Sequence, residues 1–336
     1  MIIVPKNLIE GYFVTTIDNL IFEIKGIIHP RNRVIAYLRY IPVTSDTSDS
    51  DTMYKKVYVL DEREMYLQSN YPSYLWFSEP HGRIVQSVPN DRIKSMLDPV
   101  DCLTNLRNCT GEISDLEQAS VNLAKKLVKS TGVEWSDIGL TGSQLLGIAR
   151  RDSDIDLIVY GVDVCRKFYS NLCGNIVSIM GVERYAGSVL DEHVAFRWGA
   201  HKNLKSILWE IERRKVLQGL YEGFHFFVRL VKTPDDVDYV YGDVSYQMKG
   251  HQLVSGKVVD DIDSIFTPCE YLVECDDFPN LRKLVSYRGR FTEQISKDTS
   301  FEAFGRLERV FNHKDNDQYM QLVLGELPTD YLIPKE

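Results

Sequence analysis

The feature that most restricts the fold of this chain is the run from Ser114 to Tyr160, where three local patterns follow in close succession. Residues 114–132, SDLEQASVNLAKKLVKSTG, place Leu116, Ala119, Leu123, Ala124, Leu127 and Val128 at the spacing of one helical face. Ser114 and Glu117 have the spacing of a capping box, and Gly132 suits the left-handed residue that ends a helix. Asp137 to Thr141 reads as a short strand. A loop follows, and then Ile155 to Tyr160, apolar enough to be a buried second strand. Helix, strand, loop and strand together predict an α/β unit.

Both flanks read differently. Residues 1–97 are mostly β: GYFVTT and LIFEIKGI are separated by a turn at Ile17-Asp18-Asn19, and RVIAYLRYIPV and KKVYVL follow as further strands. TSDTSDSDT, residues 44–52, has nothing to bury and reads as a solvated loop, while Leu60 to Asn70 reads as a short helix. Beyond Tyr160, Asp163 can cap a helix running to Met180 and closed by Gly181. Asn203 to Tyr221 reads as one helix, with Leu204, Ile207, Leu208 and Ile211 inward and the charged run 212–215, ERRK, outward. FHFFVRLV, residues 224–231, is a strand. From Tyr239 onward the chain changes to short strands with turn signals, among them KDND at 314–317, and these predict a small closed β-barrel. The expected fold class is α/β plus β: a central mixed sheet with helices over 98–235, a β-rich domain over 1–97 and a barrel domain over 236–336.

Bulk properties narrow the function. The net charge of −9 argues against a surface that binds nucleic acid all over, since that needs a positive field, but it leaves room for a local basic groove. The six cysteines form no CxxC pair and have neither zinc-ribbon nor disulfide-scaffold spacing, so buried reduced thiols are expected. The chain has no apolar run of membrane-spanning length, and MIIVPKNLIEGYF lacks the pattern of a secretory signal, so a cytoplasmic protein without a membrane partner is expected. The seven histidines show no metal-ligand spacing. In the last domain Arg282, Lys283, Arg288 and Arg290 interleave with Tyr287 and Phe291, which suits either a single-strand contact or an ordinary amphipathic strand.

The loop between the two central strands carries the chemistry. Residues i and i+2 of a strand share a side, so Asp154 and Asp156 present two carboxylates about 7 Å apart in one direction while Ile155 and Leu157 turn inward. Hard oxygen ligands suit Mg²⁺ or Mn²⁺, and a cation offsets their mutual repulsion. Upstream, Gly142 lets the backbone approach a phosphate, and Ser143 offers a hydroxyl donor. Ten residues separate Ser143 from Asp154, enough to bring both elements to one mouth.

GSQLLGIARRDSDIDLIV resembles the signature of the DNA polymerase β-type nucleotidyltransferase superfamily: Gly-Ser after a strand, a spacer of about ten, then Asp-x-Asp and apolar residues. The Gly147 and Ala149–Leu157 portion is closest to the minimal nucleotidyltransferases. The whole chain, through HPRNRVIAYLRYIP and VVDDIDSIFTPCEYLVE, also resembles a group of uncharacterised archaeal proteins predicted to be nucleotidyltransferases. The resemblance implies a nucleotidyltransferase-type central sheet and transfer of a nucleoside monophosphate from an NTP to an acceptor, with release of pyrophosphate. It assigns Asp154 and Asp156 to Mg²⁺ or Mn²⁺, Gly142 and Ser143 to the triphosphate, and Gly147 to loop geometry. Arg150 and Arg151 are candidate triphosphate contacts, with solvated loop charge as the alternative. RNA or another macromolecule is the expected acceptor, because two flanking β domains can position a large one.

The chain departs from the superfamily in one respect. A third carboxylate is usual on a later strand, and FHFFVRLV contains none; His225 and Arg229 share the relevant face. Glu222 or Asp235-Asp236 are candidates from displaced positions. An Arg facing two aspartates can also replace a metal with an ion pair. A non-catalytic nucleotide- or RNA-binding protein that has lost the third carboxylate therefore stands as the alternative.

Overall fold

The structure is a computed structural model that describes residues 8–43, 53–57 and 59–335. The expected loop at 44–52 lies outside the described residues. The chain is a mixed α/β protein with three sheets and, among the described residues, seven α-helices.

The first sheet contains β1 (Phe13–Thr16), β2 (Ile21–Ile24), β3 (Arg33–Val43), β4 (Met53–Lys56), β5 (Leu75–Ser78), β6 (Arg83–Pro89) and β7 (Ile93–Leu97), with α1 (Leu60–Asn70) between β4 and β5. Its order is β5-β6-β3-β2-β1-β7, and β4 pairs with β3. The β1–β2 hairpin turns where the sequence places it, with Asn19 in the left-handed region at φ 57°.

The central part starts with α2 (Pro99–Arg107) and α3 (Asp115–Thr131). The capping box of α3 is formed by Ser114 and Glu117, and Gly132 ends the helix at φ 70°. β8 (Ile138–Leu140), α4 (Gly142–Leu145), β9 (Ile155–Tyr160), α5 (Val162–Asn175), β10 (Val182–Glu183), α6 (Gly187–Trp198), α7 (Lys205–Arg214), β11 (Gln218–Tyr221) and β12 (Phe224–Val231) follow. The sheet order is β10-β11-β12-β9-β8, with β12 parallel to β9 and the other neighbours antiparallel. Leu157, Val159, Val228 and Leu230 bury one face against α3 and α5. The other face takes the N-terminal segment: Ile9 packs with Ile158, Tyr160 and Val231, and Thr141 Oγ1 donates to the Gly11 carbonyl at 2.6 Å.

Several elements differ from expectation. α5 stops at Asn175, where Gly174 and Asn175 are poor helix formers, and a single 3₁₀ turn carries the chain on. The helix expected over 203–221 is cut at Arg214. The amides of Val216 and Leu217 donate to the Glu293 carboxylate at 2.9 and 3.2 Å, and the segment then pairs with β12. The run 212–215 is only half outward. Arg213 and Arg214 are exposed, but Glu212 and Lys215 are buried and bonded to each other at 2.8 Å. α6 was not anticipated. Leu190, Val194 and Trp198 form its apolar row and pack into the core of the third sheet.

That sheet contains β13 (Val244–Asp260), β14 (Cys269–Glu274), β15 (Leu281–Ser286), β16 (Ser300–Asn312), β17 (Asp317–Leu324) and β18 (Tyr331–Pro334). The order is β13-β14-β15-β17-β16-β18, and β13 also pairs with β16, so the hydrogen-bonded path returns to its first strand. The turn at KDND joins β16 to β17. Cys165, Cys269 and Cys275 are buried free thiols, whereas Cys109 and Cys173 are exposed. Among the described residues, no helix is long and apolar enough to cross a membrane.

Candidate functional site

β8 and β9 are antiparallel with Leu140 opposite Leu157, so the chain leaving β8 passes beside the start of β9. The Thr141 amide donates to the Asp156 carbonyl at 2.9 Å. Gly142 comes next, at φ 69°, and a Cβ built on it would lie 2.2 Å from Asp156 Oδ2. Only a residue without a side chain fits there, in both conformation and space. The glycine-serine turn and the second aspartate are therefore in contact. The intervening loop folds back through Gly147, at φ 66°, and Gln144 Nε2 donates to the Asp154 carbonyl at 3.4 Å. Among the described residues, the Ser143 hydroxyl has no hydrogen-bond partner.

Asp154 is exposed and Asp156 half-buried at the base of the mouth. Burial raises the Asp156 carboxyl above the usual aspartate range; Arg229 counters the rise, and Asp154 adds to it. Arg150 and Arg151 are exposed on a turn closed by Ser153, whose hydroxyl accepts from the Arg150 amide at 2.9 Å. They sit on the same loop as the aspartates, and among the described residues neither makes a side-chain ion pair or hydrogen bond.

The neighbouring strand clarifies the departure noted above. Phe227 is in register with Asp156, and Arg229 with Ile158. Arg229 does not form an ion pair with the aspartates. Its Nη1 bonds Glu10 at 2.9 Å and Glu23 at 3.0 Å, both from the N-terminal part of the chain. Lys25 and Arg39 complete this cluster. The displaced acids do not supply a third ligand. Glu222 occupies the hairpin turn at φ 50°, and Asp236 accepts from the amides of Thr233 and Val162, at the opposite end of β9 from Asp154.

Sequence reasoning missed Tyr185 and Arg197 beside the mouth, and His193 and Glu212 behind them. Tyr185 Oη lies 2.9 Å from His225 Nδ1. Burial raises the Tyr185 pKa, Arg197 lowers it, and Asp154 contributes to the rise. The Arg197 guanidinium sits over the Phe227 ring at 5.6 Å, bringing a cation from α6. Behind Tyr185, whose ring centroid is 4.1 Å from that of His193, lies Glu212. Its carboxylate accepts from Trp198 and Lys215, both through Oε1, and from Gln218 through Oε2, with His193 Nε2 at 3.0 Å. Only the face shared by His225 and Arg229 was visible in the sequence; α6 had no strong signal.

Among the described residues, no three His, Cys, Asp or Glu side chains converge as a metal-ligand set. Two adjacent carboxylates nevertheless suit Mg²⁺, which commonly takes one or two carboxylates and completes its shell with water and substrate phosphates. The raised Asp156 carboxyl, ionised at a cost, is a group that a nearby cation would stabilise.

The chain is similar to the uncharacterized protein MJ1086 of Methanocaldococcus jannaschii, with 24% identity over 326 residues covering 93% of this chain and 94% of that protein. No family model matches the chain, and no solved structure does.

Proposed function

We propose that the protein is a nucleotidyltransferase that moves a nucleoside monophosphate from an NTP to an acceptor, RNA being the acceptor best suited to a chain with two β-sheet domains beside the site. The reading rests on one observation, the contact of Gly142 with the Asp156 carboxylate. It joins the phosphate-cradle element to the metal-carboxylate element in one mouth. Asp154 and Asp156 would hold Mg²⁺ or Mn²⁺, whose chemistry is to polarise the phosphate and neutralise charge on the leaving pyrophosphate. Gly142 admits the triphosphate close to the backbone, Ser143 supplies a hydroxyl donor, and Arg150, Arg151 and Arg197 supply positive charge. On this reading the central sheet is of nucleotidyltransferase type, and the third sheet, whose pairings return to β13, is a small barrel.

Phe227 favours a second reading. It stands in register beside Asp156, where a third carboxylate would complete the site, and a protein with phenylalanine there can bind nucleotide without transferring it. Purified protein with each α-labelled NTP, Mg²⁺ or Mn²⁺ and total RNA separates the two. Transfer should label the acceptor, and Asp154→Ala or Asp156→Ala should each reduce labelling by about a hundredfold or more. Saturable NTP binding with no labelled product under any acceptor would overturn the enzymatic reading and leave the binding one.

A further inference from the structure

Between the first sheet, β12 and the third sheet lies a cavity of about 560 Å³, within the size range of small-ligand sites. The chain as a whole is acidic, yet nine Lys and Arg side chains line this cavity against five acids, Glu23, Asp263, Glu270, Glu308 and Glu326. Seven of these cations are paired: Lys25, Arg39 and Arg229 with Glu10 or Glu23, Lys232 with Asp263, Lys283 with Glu270 at 2.7 Å, and Arg83 and Arg306 with Glu326 at 3.0 Å, Arg306 also with Glu308. Arg288 is not: among the described residues its guanidinium donates only to the Gly325 carbonyl, at 3.3 Å. The excess positive charge acts on its surroundings. Burial, with Arg83 and Arg306, lowers His81 to about 4 and keeps it neutral. Burial, with Arg39 and Arg288, lowers Arg63 to about 10.

Besides Tyr241, which bonds Ser78 Oγ at 2.5 Å, four tyrosines, Tyr37, Tyr239, Tyr246 and Tyr287, line the same space, with the Tyr246 ring stacked on His81 at 5.4 Å. Burial raises the pKa of each, so all four hydroxyls remain protonated donors. They are close enough to influence one another's ionisation, Tyr287 with Tyr239 and Tyr37, and Tyr246 with Tyr287 and Tyr239. Among the described residues none of the four donates to a protein acceptor. Surplus donors and surplus positive charge call for an anion rich in acceptor oxygens. The rings call for a planar partner, since aromatic faces stack nucleobases without regard to sequence. An apolar ligand would leave the donors unpaired, and a bare inorganic anion would leave the rings of Tyr239 and Tyr287 unused.

We propose that this cavity binds a nucleoside phosphate, free or as the end of an RNA strand. The site is separate from Asp154 and Asp156, neither of which lines it; among the described residues it meets their surroundings through Glu23, Arg229 and Gly289, which lies against Phe227. It does not depend on the transfer reaction. Calorimetric titration in EDTA, which withholds any cation from the aspartates, tests it with AMP, hexaadenylate RNA, adenosine and inorganic phosphate as probes. AMP or hexaadenylate should saturate the site, with adenosine and phosphate weaker. Arg288→Gln, and the pair Tyr239→Phe with Tyr287→Phe, should each weaken binding by about tenfold or more. These side chains are exposed to the cavity, and melting curves should stay unchanged. The double variant Asp154→Ala with Asp156→Ala should bind AMP as the unaltered protein does. Tighter binding of hexaadenylate assigns the site to a strand end; equal or weaker binding assigns it to a free nucleotide. Absence of saturable binding by both probes, binding that survives the Arg288 and tyrosine variants, or binding lost with the aspartates overturns the proposal.

Discussion

Asp156 sits under two opposed influences. Its strand and the contact with Gly142 fix it at the base of the mouth, while burial raises its pKa and Arg229 counters only part of that rise. A folded state that binds a proton more tightly than the unfolded chain loses stability as pH rises from the ordinary aspartate pKa through the raised one. At neutral pH the ionised Asp156 therefore opposes folding unless a cation is present. Asp156→Asn removes the opposition. In EDTA the variant should unfold at higher urea concentration than the unaltered protein at pH 7.5, and the difference should shrink toward pH 4. Mn²⁺ should raise the midpoint of the unaltered protein and leave that of the variant unmoved. Equal midpoints for the two proteins at pH 7.5 in EDTA would mean that the carboxylate is not strained by its setting.

At the scale of elements, α6, α7 and β11 are joined by one carboxylate. Glu212 is buried with Lys215, and its two oxygens take bonds from Trp198, Lys215 and Gln218, with His193 alongside. Burial alone would raise the Glu212 pKa, but Lys215 and His193 hold it well below the usual carboxylate range. Removing one partner of such a pair leaves a buried charge uncompensated, at a cost of about 3–5 kcal/mol. Glu212→Gln should show a loss of that order in urea unfolding, and Arg213→Ala, on the exposed side of the same helix, should change stability by less than about 0.5 kcal/mol. Adding Lys215→Met to Glu212→Gln should recover part of the loss. The sequence could not reveal this cluster, because Glu and Lys three apart on a helix look the same whether they face water or protein. α6 was hidden for a related reason: Asp191, Glu192 and His193 interrupt its apolar row, and the helix takes its packing from a sheet formed much later in the chain. α3, β8 and β9 were legible because their caps, periodicity and apolar runs are local. The approach of Gly142 to Asp156 was legible too, since the spacer alone allows it.

The whole molecule adds a connection that no local pattern carries. Arg229 lies 219 residues from Glu10 and 206 from Glu23, yet it bonds both, fastening the N-terminal part of the chain to β12 two residues beyond Phe227. The same guanidinium, on the same face of the sheet as Asp156, lowers the Asp156 pKa. The clamp thus has a structural effect and an electrostatic one, and one substitution separates them from a control. Arg229→Met leaves Glu10 and Glu23 with Lys25 and Arg39 alone, and unfolding should show a loss of about 3 kcal/mol or more. It also deprives Asp156 of its main positive neighbour, so the carboxyl holds its proton to still higher pH. A cation must displace that proton, and Mn²⁺ binding followed by water-proton relaxation should develop at higher pH than in the unaltered protein. Lys25→Met breaks bonds to the same two glutamates and should also destabilise the fold, but Lys25 is not among the main charges acting on Asp156, which are Arg229, Asp154, Glu23 and Lys56. Its Mn²⁺ profile should stay in place. A profile unmoved in Arg229→Met, or one displaced equally in both variants, would sever the electrostatic link and leave the clamp a purely structural tie between the first sheet and the site.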